Sequence, residues 1–403
     1  MAVKKTGYGA SILSRERPGD GKSVVVAMSG GVDSSVAALI LKEQGYDVIG
    51  LALQVTDYSK YRSEEESGTC CSLQDMEDAR RVAESIGIPF YVVDTEKSFD
   101  GQVVDYFVAE YLQGRTPNPC VMCNTKVKFN SFFRKALELG TDYIATGHYV
   151  RKSFDEGLGY CLLRGEDHDK DQSYFLFNLT QRQLEKTLFP VGGMKKEKVR
   201  QLAKTHKLPV ADKPDSQEIC FVPGNNYKKF IEERTPESQR HEGLIVTGKG
   251  IVLGNHEGIH NFTVGQRKGL GAALDLASKM GIANTEDFYV TKIDPVRRHV
   301  HLGPSRELEK AGLVVGQVNW IVAPKLEKAR WMDVKIRYRA ETARASVKMM
   351  GDNAVEVRFE KPQRAITPGQ ACVFYDGEVC LGGGWILTSL EVQADERPSE
   401  ARQ

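Results

Sequence analysis

The chain has 403 residues, 41% of them hydrophobic, and its formal net charge at pH 7 is only +1. The length predicts two or three domains with substantial cores, and the near-neutral charge means that affinity for nucleic acid must come from local basic patches. No apolar run approaches the roughly 18 residues of a membrane span, and residues 1–21 contain no apolar segment of a secretion signal, so we expect a cytoplasmic protein without a membrane partner.

A glycine-rich loop separates the first predicted strand from the first predicted helix. Residues 24–28 are continuously apolar, as in a parallel strand buried on both faces, and residues 35–44 repeat with helical spacing. The loop between them reads Ser29-Gly30-Gly31-Val32-Asp33-Ser34. Its glycines let the backbone approach an anion, and the N–H groups and dipole of the following helix attract that anion. The sequence therefore predicts a phosphate site after the first strand.

The type of phosphate chemistry follows from what this loop lacks. A mononucleotide P-loop needs Gly-Lys-Ser/Thr to hold the β and γ phosphates, and here Val32-Asp33-Ser34 stands instead. A kinase or γ-phosphate hydrolase is therefore disfavoured. The loop resembles that of the ATP pyrophosphatases, which cleave ATP between the α and β phosphates and leave AMP on an activated oxygen.

Strands and helices continue to alternate through the first half of the chain. They are predicted at residues 48–55, 76–86, 90–93, 103–112 and 143–145. This alternation predicts an α/β fold within residues 22–223, a doubly wound parallel sheet of the ATP pyrophosphatase (PP-loop, Rossmann-like) type. In such a sheet the ligand lies beyond the carboxyl ends of the strands, where the glycine loop is placed.

Three cysteines stand in distinctive surroundings. Residues 114–124 form a proline-stiffened loop with Cys120 and Cys123 three positions apart, and Cys220 lies in the segment 215–221. In a reducing compartment such cysteines are reactive or metal-binding groups. A C-x-x-C pair often means zinc, but a closed zinc site needs four ligands and no second pair lies at the usual spacing. Other cysteines are weaker candidates: Cys70 and Cys71 are adjacent in a loop, and Cys161, Cys372 and Cys380 belong to strand-like runs that predict core positions.

The second half of the chain changes character twice. Residues 224–302 are mixed and glycine-dense, which predicts a small central domain. Residues 303–392 alternate with period two and contain hairpin signals at Asp352-Asn353 and Asp376-Gly377, which predicts a C-terminal β-barrel. The polar residues 393–403 are predicted to be a disordered tail, and residues 1–21 a flexible extension.

The whole chain resembles the bacterial tRNA-specific 2-thiouridylases of the MnmA family, which replace O2 of the wobble uridine by sulfur. The resemblance runs from residue 24 to about 386. Its motifs, in chain order, are residues 29–34, 115–124, 145–151, 170–175, 188–192, 215–221, 265–271, 337–339, 367–370 and 377–384. The resemblance implies a catalytic pyrophosphatase domain, a central tRNA-binding domain and a C-terminal barrel, in agreement with the pattern above.

The same resemblance implies the ligands and their residues. ATP is expected with Mg²⁺ to offset the phosphate charge. The positions that match ATP contacts are Ala27, Met28, Ser29, Gly30, Gly31, Val32, Asp33, Ser34, Leu53 and Gly147. The target base is expected to face Asn118, Pro119 and Cys120. The positions that match other tRNA contacts are His148, Lys170, Asp171, Gln172, Arg337, Tyr338 and Gln370.

Two sulfur-transfer routes remain open at this stage. By resemblance Cys220 carries a persulfide, and Cys123 is the nucleophile that releases the sulfur and forms a disulfide with Cys220. Many relatives have aspartate where this chain has Cys120. Cys120, Cys123 and Cys220 instead make a three-thiolate set, similar to related thiolases that hold a 4Fe-4S cluster with one open iron.

The implied partners are tRNA, by resemblance those for Lys, Glu and Gln, and a cysteine desulfurase or sulfur-relay protein as donor. Four cations on one predicted helix, Lys195, Lys196, Lys198 and Arg200, would make a basic face for RNA. Three rival classes share part of the pattern: an ammonia-using ATP pyrophosphatase, a nucleotide-binding sensor, and an RNA-binding scaffold with structural zinc. None of the three uses both the pyrophosphate loop and the pair of reactive thiols.

Overall fold

The computed structural model describes residues 18–55, 73–215, 219–237, 240–324, 326–351 and 353–392. The predicted tail, most of the predicted N-terminal extension, and Cys70 with Cys71 lie outside the described residues. The domain boundaries predicted at 223 and 302 stay predictions. Among the residues described, none of the helices has the length and apolar character that a bilayer crossing requires.

A five-stranded parallel sheet forms the first structural unit. The first seven strands are β1 (Ser23–Ala27), β2 (Asp47–Gln54), β3 (Phe90–Asp94), β4 (Tyr143–Thr146), β5 (Val150–Asp155), β6 (Gly159–Arg164) and β7 (Thr187–Leu188). The sheet order is β3-β2-β1-β4-β7, and each neighbouring pair is parallel. The order reverses beside β1, which is the place where doubly wound sheets bind ligands.

Ten α-helices occur among the described residues. They are α1 (Val32–Glu43), α2 (Leu73–Ile86), α3 (Glu96–Phe99), α4 (Asp105–Leu112), α5 (Pro119–Met122), α6 (Phe133–Glu138), α7 (Gln181–Lys186), α8 (Lys196–Thr205), α9 (Tyr227–Arg234) and α10 (Gly271–Lys279). Two π-helical stretches, Asp100–Val104 and Cys123–Phe132, join α3 to α4 and α5 to α6. Short 3-10 helices lie at Ser173–Phe175, Pro223–Asn225, Ile259–Asn261, Thr285–Asp287 and Ser305–Leu308.

The alternating residues of β1 explain why the sheet is covered on both faces. Val24 and Val26 pack into the core that contains Val36 of α1 and Val199 of α8, whereas Val25 packs on the opposite face. All three β1 valines have no exposed surface. The burial of each such side chain contributes about 1.5–3 kcal/mol, which is why the continuous apolar run specifies an inner parallel strand.

A mixed four-stranded sheet forms the middle of the chain. Its strands are β8 (Gly243–Thr247), β9 (Val252–His256), β10 (Phe288–Asp294) and β11 (His299–Pro304), in the order β10-β11-β8-β9. Leu253 of β9 and Ala273 of α10 belong to its apolar core.

The C-terminal strands close into a barrel. They are β12 (Glu309–Trp320), β13 (Arg330–Lys335), β14 (Ala343–Met349), β15 (Ala354–Arg364), β16 (Ala371–Asp376) and β17 (Val379–Leu390), and β12 pairs with both β15 and β17. The predicted fold class is thereby confirmed. Cys161, Cys372 and Cys380 are buried, as predicted.

One connection was not predicted. The β5–β6 hairpin extends the barrel sheet because β6 pairs with β17, with Cys380 opposite Leu162. The same apolar core contains Val25 of the parallel sheet and Phe374 of the barrel. The first and last structural units therefore share one core.

Candidate active site

The glycine loop turns sharply between β1 and α1. Gly30 has a φ of +71°, and a Cβ at that position would lie 2.0 Å from the Asp75 carbonyl oxygen. The Ser29 N–H donates to Ser34 Oγ at 3.2 Å, and Ser34 Oγ donates to the Gly31 carbonyl at 3.2 Å. Gly31 caps α1 without a side chain. The first N–H groups of a helix have no intrahelical acceptor, so this turn is suited to bind an anion.

Neighbouring strands bring Gly147 and Leu53 to the same sheet edge. Thr146, the last residue of β4, pairs with Ala27 at the end of β1. A Cβ on Gly147 would lie 2.6 Å from the Ser34 backbone nitrogen, so Gly147 packs directly against the start of α1. Leu53 lies one residue before the end of β2, the neighbour of β1 on the other side. The predicted ATP contacts therefore lie together at the carboxyl ends of β1, β2 and β4.

Asp33, the second residue of α1, is bound by Lys196 of α8 and by Tyr149, which directly precedes β5. Lys196 Nζ lies 2.7 and 2.8 Å from its two carboxylate oxygens, and the Tyr149 hydroxyl donates to Oδ1 at 2.7 Å. Burial and the neighbouring Asp33 carboxylate hold the pKa of Tyr149 well above its usual value. Met28 and Val32 are 2% and 4% exposed, so a nucleotide would reach chiefly their backbone atoms.

Asp215 gathers three cations at the start of the segment that leads to Cys220. Its carboxylate lies 2.8 Å from Lys196, 2.9 Å from Lys170 and 2.8 Å from Arg200. Burial works to raise the pKa of Asp215, but the hydrogen bonds from Lys196 and Lys170 outweigh it and lower the pKa to about 2. Asp215 is therefore ionised at any physiological pH.

This arrangement corrects the predicted basic face of α8. Lys196 is 9% exposed, and both it and Arg200 point inward to carboxylates rather than outward to RNA. A run of cations in sequence does not reveal which of them have acidic partners far along the chain.

The pKa of Asp215 predicts how stability depends on pH. An aspartate in the unfolded chain protonates near pH 4, whereas Asp215 in the folded protein does so near pH 2. Because the folded pKa is the lower one, its stabilising effect is complete above about pH 4 and is lost as the pH falls to about 2. We expect the urea midpoints of the wild type and Asp215→Asn to differ at pH 6 and to converge below pH 4. A difference that stays constant down to pH 2.5 would contradict this assignment.

Cys123 and Cys220 pack against one apolar cluster at the edge of the sheet. The cluster contains Val55, which directly follows β2, and Phe221, and the predicted ATP contact Leu53 packs against it too. Both cysteines are partly buried, whereas Cys120 is exposed. Two thiols from distant stretches of chain thus contact the same cluster, which includes Val55 at the carboxyl end of β2.

The loop before these thiols is held by the barrel. Asn118 caps α5 by accepting from the Val121 N–H at 3.2 Å. Gln370 Nε2 donates to the Thr116 and Pro117 carbonyls at 3.0 and 3.1 Å. Gln370, predicted to contact tRNA, therefore holds the loop that precedes α5, in which Cys120 lies. Sequence reasoning missed this contact because Gln370 and Thr116 are 254 positions apart.

No metal-ligand set is assembled in the part of the chain that the structure describes. There, no group of three or more His, Cys, Asp and Glu residues is arranged to hold a metal ion. Cys120, Cys123 and Cys220 therefore do not form a three-thiolate site in this conformation.

Several residues predicted to contact tRNA have internal roles. Asp171 is 3% exposed, and its carboxylate accepts from the Gly165 and Ser173 N–H groups. Gln172 accepts from the Tyr149 N–H at 2.9 Å. Burial holds the pKa of His148 well below its usual value, so its imidazole is uncharged.

Other predicted tRNA contacts meet at a cavity between the three structural units. The cavity has a volume of about 550 Å³ and is lined by Arg337, Arg364 and Gln370 of the barrel region and by Gln266 of the middle unit. Tyr338 lies instead against Phe175, with ring centroids 4.4 Å apart.

The fold and the site define a PP-loop α/β protein that carries two further domains. Three family models match it: a tRNA methyl transferase HUP domain over residues 22–224, a tRNA methyl transferase PRC-barrel domain over 228–304, and an aminomethyltransferase beta-barrel domain over 310–386. A protein of Geotalea uraniireducens named tRNA-specific 2-thiouridylase MnmA is 53% identical over 91% of this chain and 95% of its own. A Geobacter metallireducens protein of the same name is 53% identical over 92% of this chain and 98% of its own. The chain belongs to the tRNA-specific 2-thiouridylase MnmA family.

A solved structure shows a more distant likeness. U34-tRNA thiolase NcsA from Methanococcus maripaludis, with its 4Fe-4S cluster, matches at 18% identity over 56% of this chain and 72% of its own, with a TM-score of 0.33.

Proposed function

We propose that this protein is an ATP-dependent tRNA 2-thiouridylase. It adenylates O2 of the wobble uridine and then replaces that oxygen by sulfur, giving 2-thiouridine, AMP and pyrophosphate. The observation that carries this proposal is the position of Cys123 and Cys220 against the cluster that Leu53 and Val55 share, at the sheet edge where the glycine loop lies. Family membership supports the same function.

Adenylation comes first because the uracil C2 carbonyl is a poor electrophile and its oxygen a poor leaving group. O2 attacks the α phosphorus of ATP, pyrophosphate leaves, and the base loses its N3 proton. The N–H groups at the start of α1 bind the phosphates. The nucleotide contacts in this proposal are Ala27, Met28, Ser29, Gly30, Gly31, Val32, Asp33, Ser34, Leu53 and Gly147. Mg²⁺ would accompany the nucleotide and offset the phosphate charge. Asp33 is ion-paired with Lys196 and is therefore not assigned as a ligand of that ion.

Sulfur delivery follows in two displacements. The terminal sulfur of a Cys220 persulfide attacks C2, and AMP leaves with the former O2. The Cys123 thiolate then attacks Cys220 Sγ, so that a Cys123–Cys220 disulfide forms and the sulfur stays on C2 with the electron pair of the broken S–S bond. N3 takes up a proton, and a dithiol reductant regenerates both thiols. The disulfide requires the two Cα atoms to come within about 4.4–6.8 Å of each other during the cycle.

The persulfide route is favoured over a 4Fe-4S cluster by the arrangement of the thiols. Cys120 is exposed, whereas Cys123 and Cys220 pack into the same apolar surroundings. The described residues hold no three-thiolate set, so no step is assigned to a cluster.

The proposed partners are tRNA, specifically those for Lys, Glu and Gln, and a cysteine desulfurase or sulfur-relay protein, all in the cytoplasm. An unstacked uridine would lie against Asn118, Pro119 and Cys120. Proteins commonly recognise single-stranded RNA loops by binding bases that have left the stack. His148, Lys170, Arg337, Tyr338 and Gln370 would contribute to tRNA binding, with Asp171 and Gln172 shaping that surface.

Incubation of the purified protein with ATP, unmodified tRNA and a persulfide donor tests this function. We expect pyrophosphate release that depends on tRNA, and 2-thiouridine in the nucleoside digest by mass spectrometry. Pyrophosphate release that depends on ammonia rather than tRNA would favour an amidating enzyme, and nucleotide binding without turnover would favour a sensor. If anaerobically purified protein contains iron and acid-labile sulfide and loses activity when the metal is removed, the cluster route is favoured over the persulfide route.

A further inference from the structure

Lys196 connects the glycine loop with the segment that leads to Cys220. It is the first residue of α8, and its Nζ lies within 2.8 Å of both oxygens of Asp33 and of Oδ1 of Asp215. A lysine ammonium has three N–H donors, so these three carboxylate oxygens account for all of them. The Lys196 side chain is only 11% exposed, which limits competition from water.

The two carboxylates belong to the two halves of the proposed reaction. Asp33 follows the glycines of the loop as the second residue of α1, whereas Asp215 begins the sequence motif that contains Cys220. One ammonium group therefore joins the carboxylate at the glycine loop to the carboxylate that lies five residues before Cys220. These ion pairs are partly buried, with the Asp33 and Asp215 side chains 32% and 25% exposed, and the loss of Lys196 would leave both carboxylates without this cation.

The surroundings show what each carboxylate retains without Lys196. Asp33 would keep the hydrogen bond from Tyr149 at 2.7 Å, and Asp215 would keep Lys170 and Arg200. Each carboxylate would thus keep at least one hydrogen-bond or ion-pair partner. What would be lost is the contact that joins Asp33 to Asp215, together with the positive charge between the two carboxylates.

We propose that Lys196 is a positioning residue that couples adenylation at the glycine loop to sulfur delivery from Cys220. This inference rests on the proposed function. With Lys196 present, Asp215 is held in register with the glycine loop, and sulfur delivery from Cys220 keeps pace with adenylation. Without Lys196, uridine is adenylated faster than sulfur is delivered, and water hydrolyses the adenylate to uridine and AMP.

Arg200 provides a matched control. It lies one helical turn after Lys196 on α8 and contacts the same Asp215 Oδ1 at the same 2.8 Å. The contacts of Arg200 run to Asp215 and to the Ala211 and Lys213 carbonyls. Arg200→Met therefore removes one of the three cations that hold Asp215 and leaves the Lys196 link to Asp33 in place.

The experiment measures pyrophosphate released per 2-thiouridine formed, in the full-length protein with tRNA, ATP and a persulfide donor. For the wild type and Arg200→Met we expect a ratio near one. For Lys196→Met we expect the ratio to rise about 5-fold or more, the lower end of typical coupling between sites. Lys196→Arg, whose guanidinium bridges two carboxylates, should restore most of the coupling.

The outcomes separate the two proposals. A wild type that makes no 2-thiouridine refutes the proposed function. A wild type that does, with equal ratios in Lys196→Met and Arg200→Met, refutes the coupling role. Should Lys196→Met fold poorly, Lys196→Met combined with Asp33→Asn removes the unpaired charge, and a ratio near one in that variant and in Lys196→Gln overturns the inference as well.

Discussion

Cys220→Ser is expected to lower the rate of 2-thiouridine formation by about 10³-fold or more, the scale seen when a covalent nucleophile is removed. A serine hydroxyl cannot carry sulfur as a persulfide, so the step fails chemically rather than by misfolding. Cys220 is only partly buried, at the edge of an apolar cluster, and serine is close to it in size. The affinities for ATP and tRNA and the far-UV circular dichroism spectrum should stay near those of the wild type.

Cys123→Ser and Cys120→Ser sharpen this test. In the persulfide route Cys123→Ser should accumulate a covalent adduct between Cys220 and the tRNA, because the second displacement is blocked. Cys120→Ser should keep much of the activity, since Cys120 takes no part in either displacement. If instead all three variants lose activity equally and iron is lost with it, a cluster held by the three thiols is the better account. Loss of secondary structure in Cys220→Ser would indicate a structural cysteine.

Gly30→Ala is expected to reduce tRNA-dependent pyrophosphate release about 10²-fold, the cost of a displacement near 1 Å at a reacting group. Gly30 has a φ of +71°, which costs an alanine about 1–2 kcal/mol, and the new Cβ would lie 2.0 Å from the Asp75 backbone oxygen. Backbone cannot move aside as a flexible side chain can. The loop must therefore shift away from α2, and the free energy of unfolding should fall as well.

Gly31→Ala is the matched control in the same loop. Gly31 has a φ of −93°, and the nearest atom to a Cβ there would be Ser29 Oγ at 3.7 Å. We expect its thermal midpoint to equal that of the wild type. If Gly31→Ala also raises the KM for ATP while its stability is unchanged, the phosphates approach that glycine closely. Equal stability and equal ATP use in Gly30→Ala and the wild type would contradict the geometry described for the loop.

The sequence was most informative where a local pattern has one structural solution. The apolar run 24–28 covers most of β1 (Ser23–Ala27), whose valines are buried on both faces, and the glycines after it form the tight turn before α1. Period-two alternation after residue 303 correctly indicated barrel strands. The motifs also singled out Cys123 and Cys220, and family membership agrees with the resemblance that they helped to establish.

The tertiary structure decided which of those residues touch one another. Lys196 was grouped by sequence with an exposed basic face, but it is buried between Asp33 and Asp215. Lys213 pairs with Asp75 and Asp78 and was not singled out by the sequence, and Tyr149, which donates to Asp33, was given no role there. Local periodicity reports the direction of a side chain relative to its own helix or strand. An ion pair also depends on the packing of distant elements, and that is a property of the folded chain as a whole.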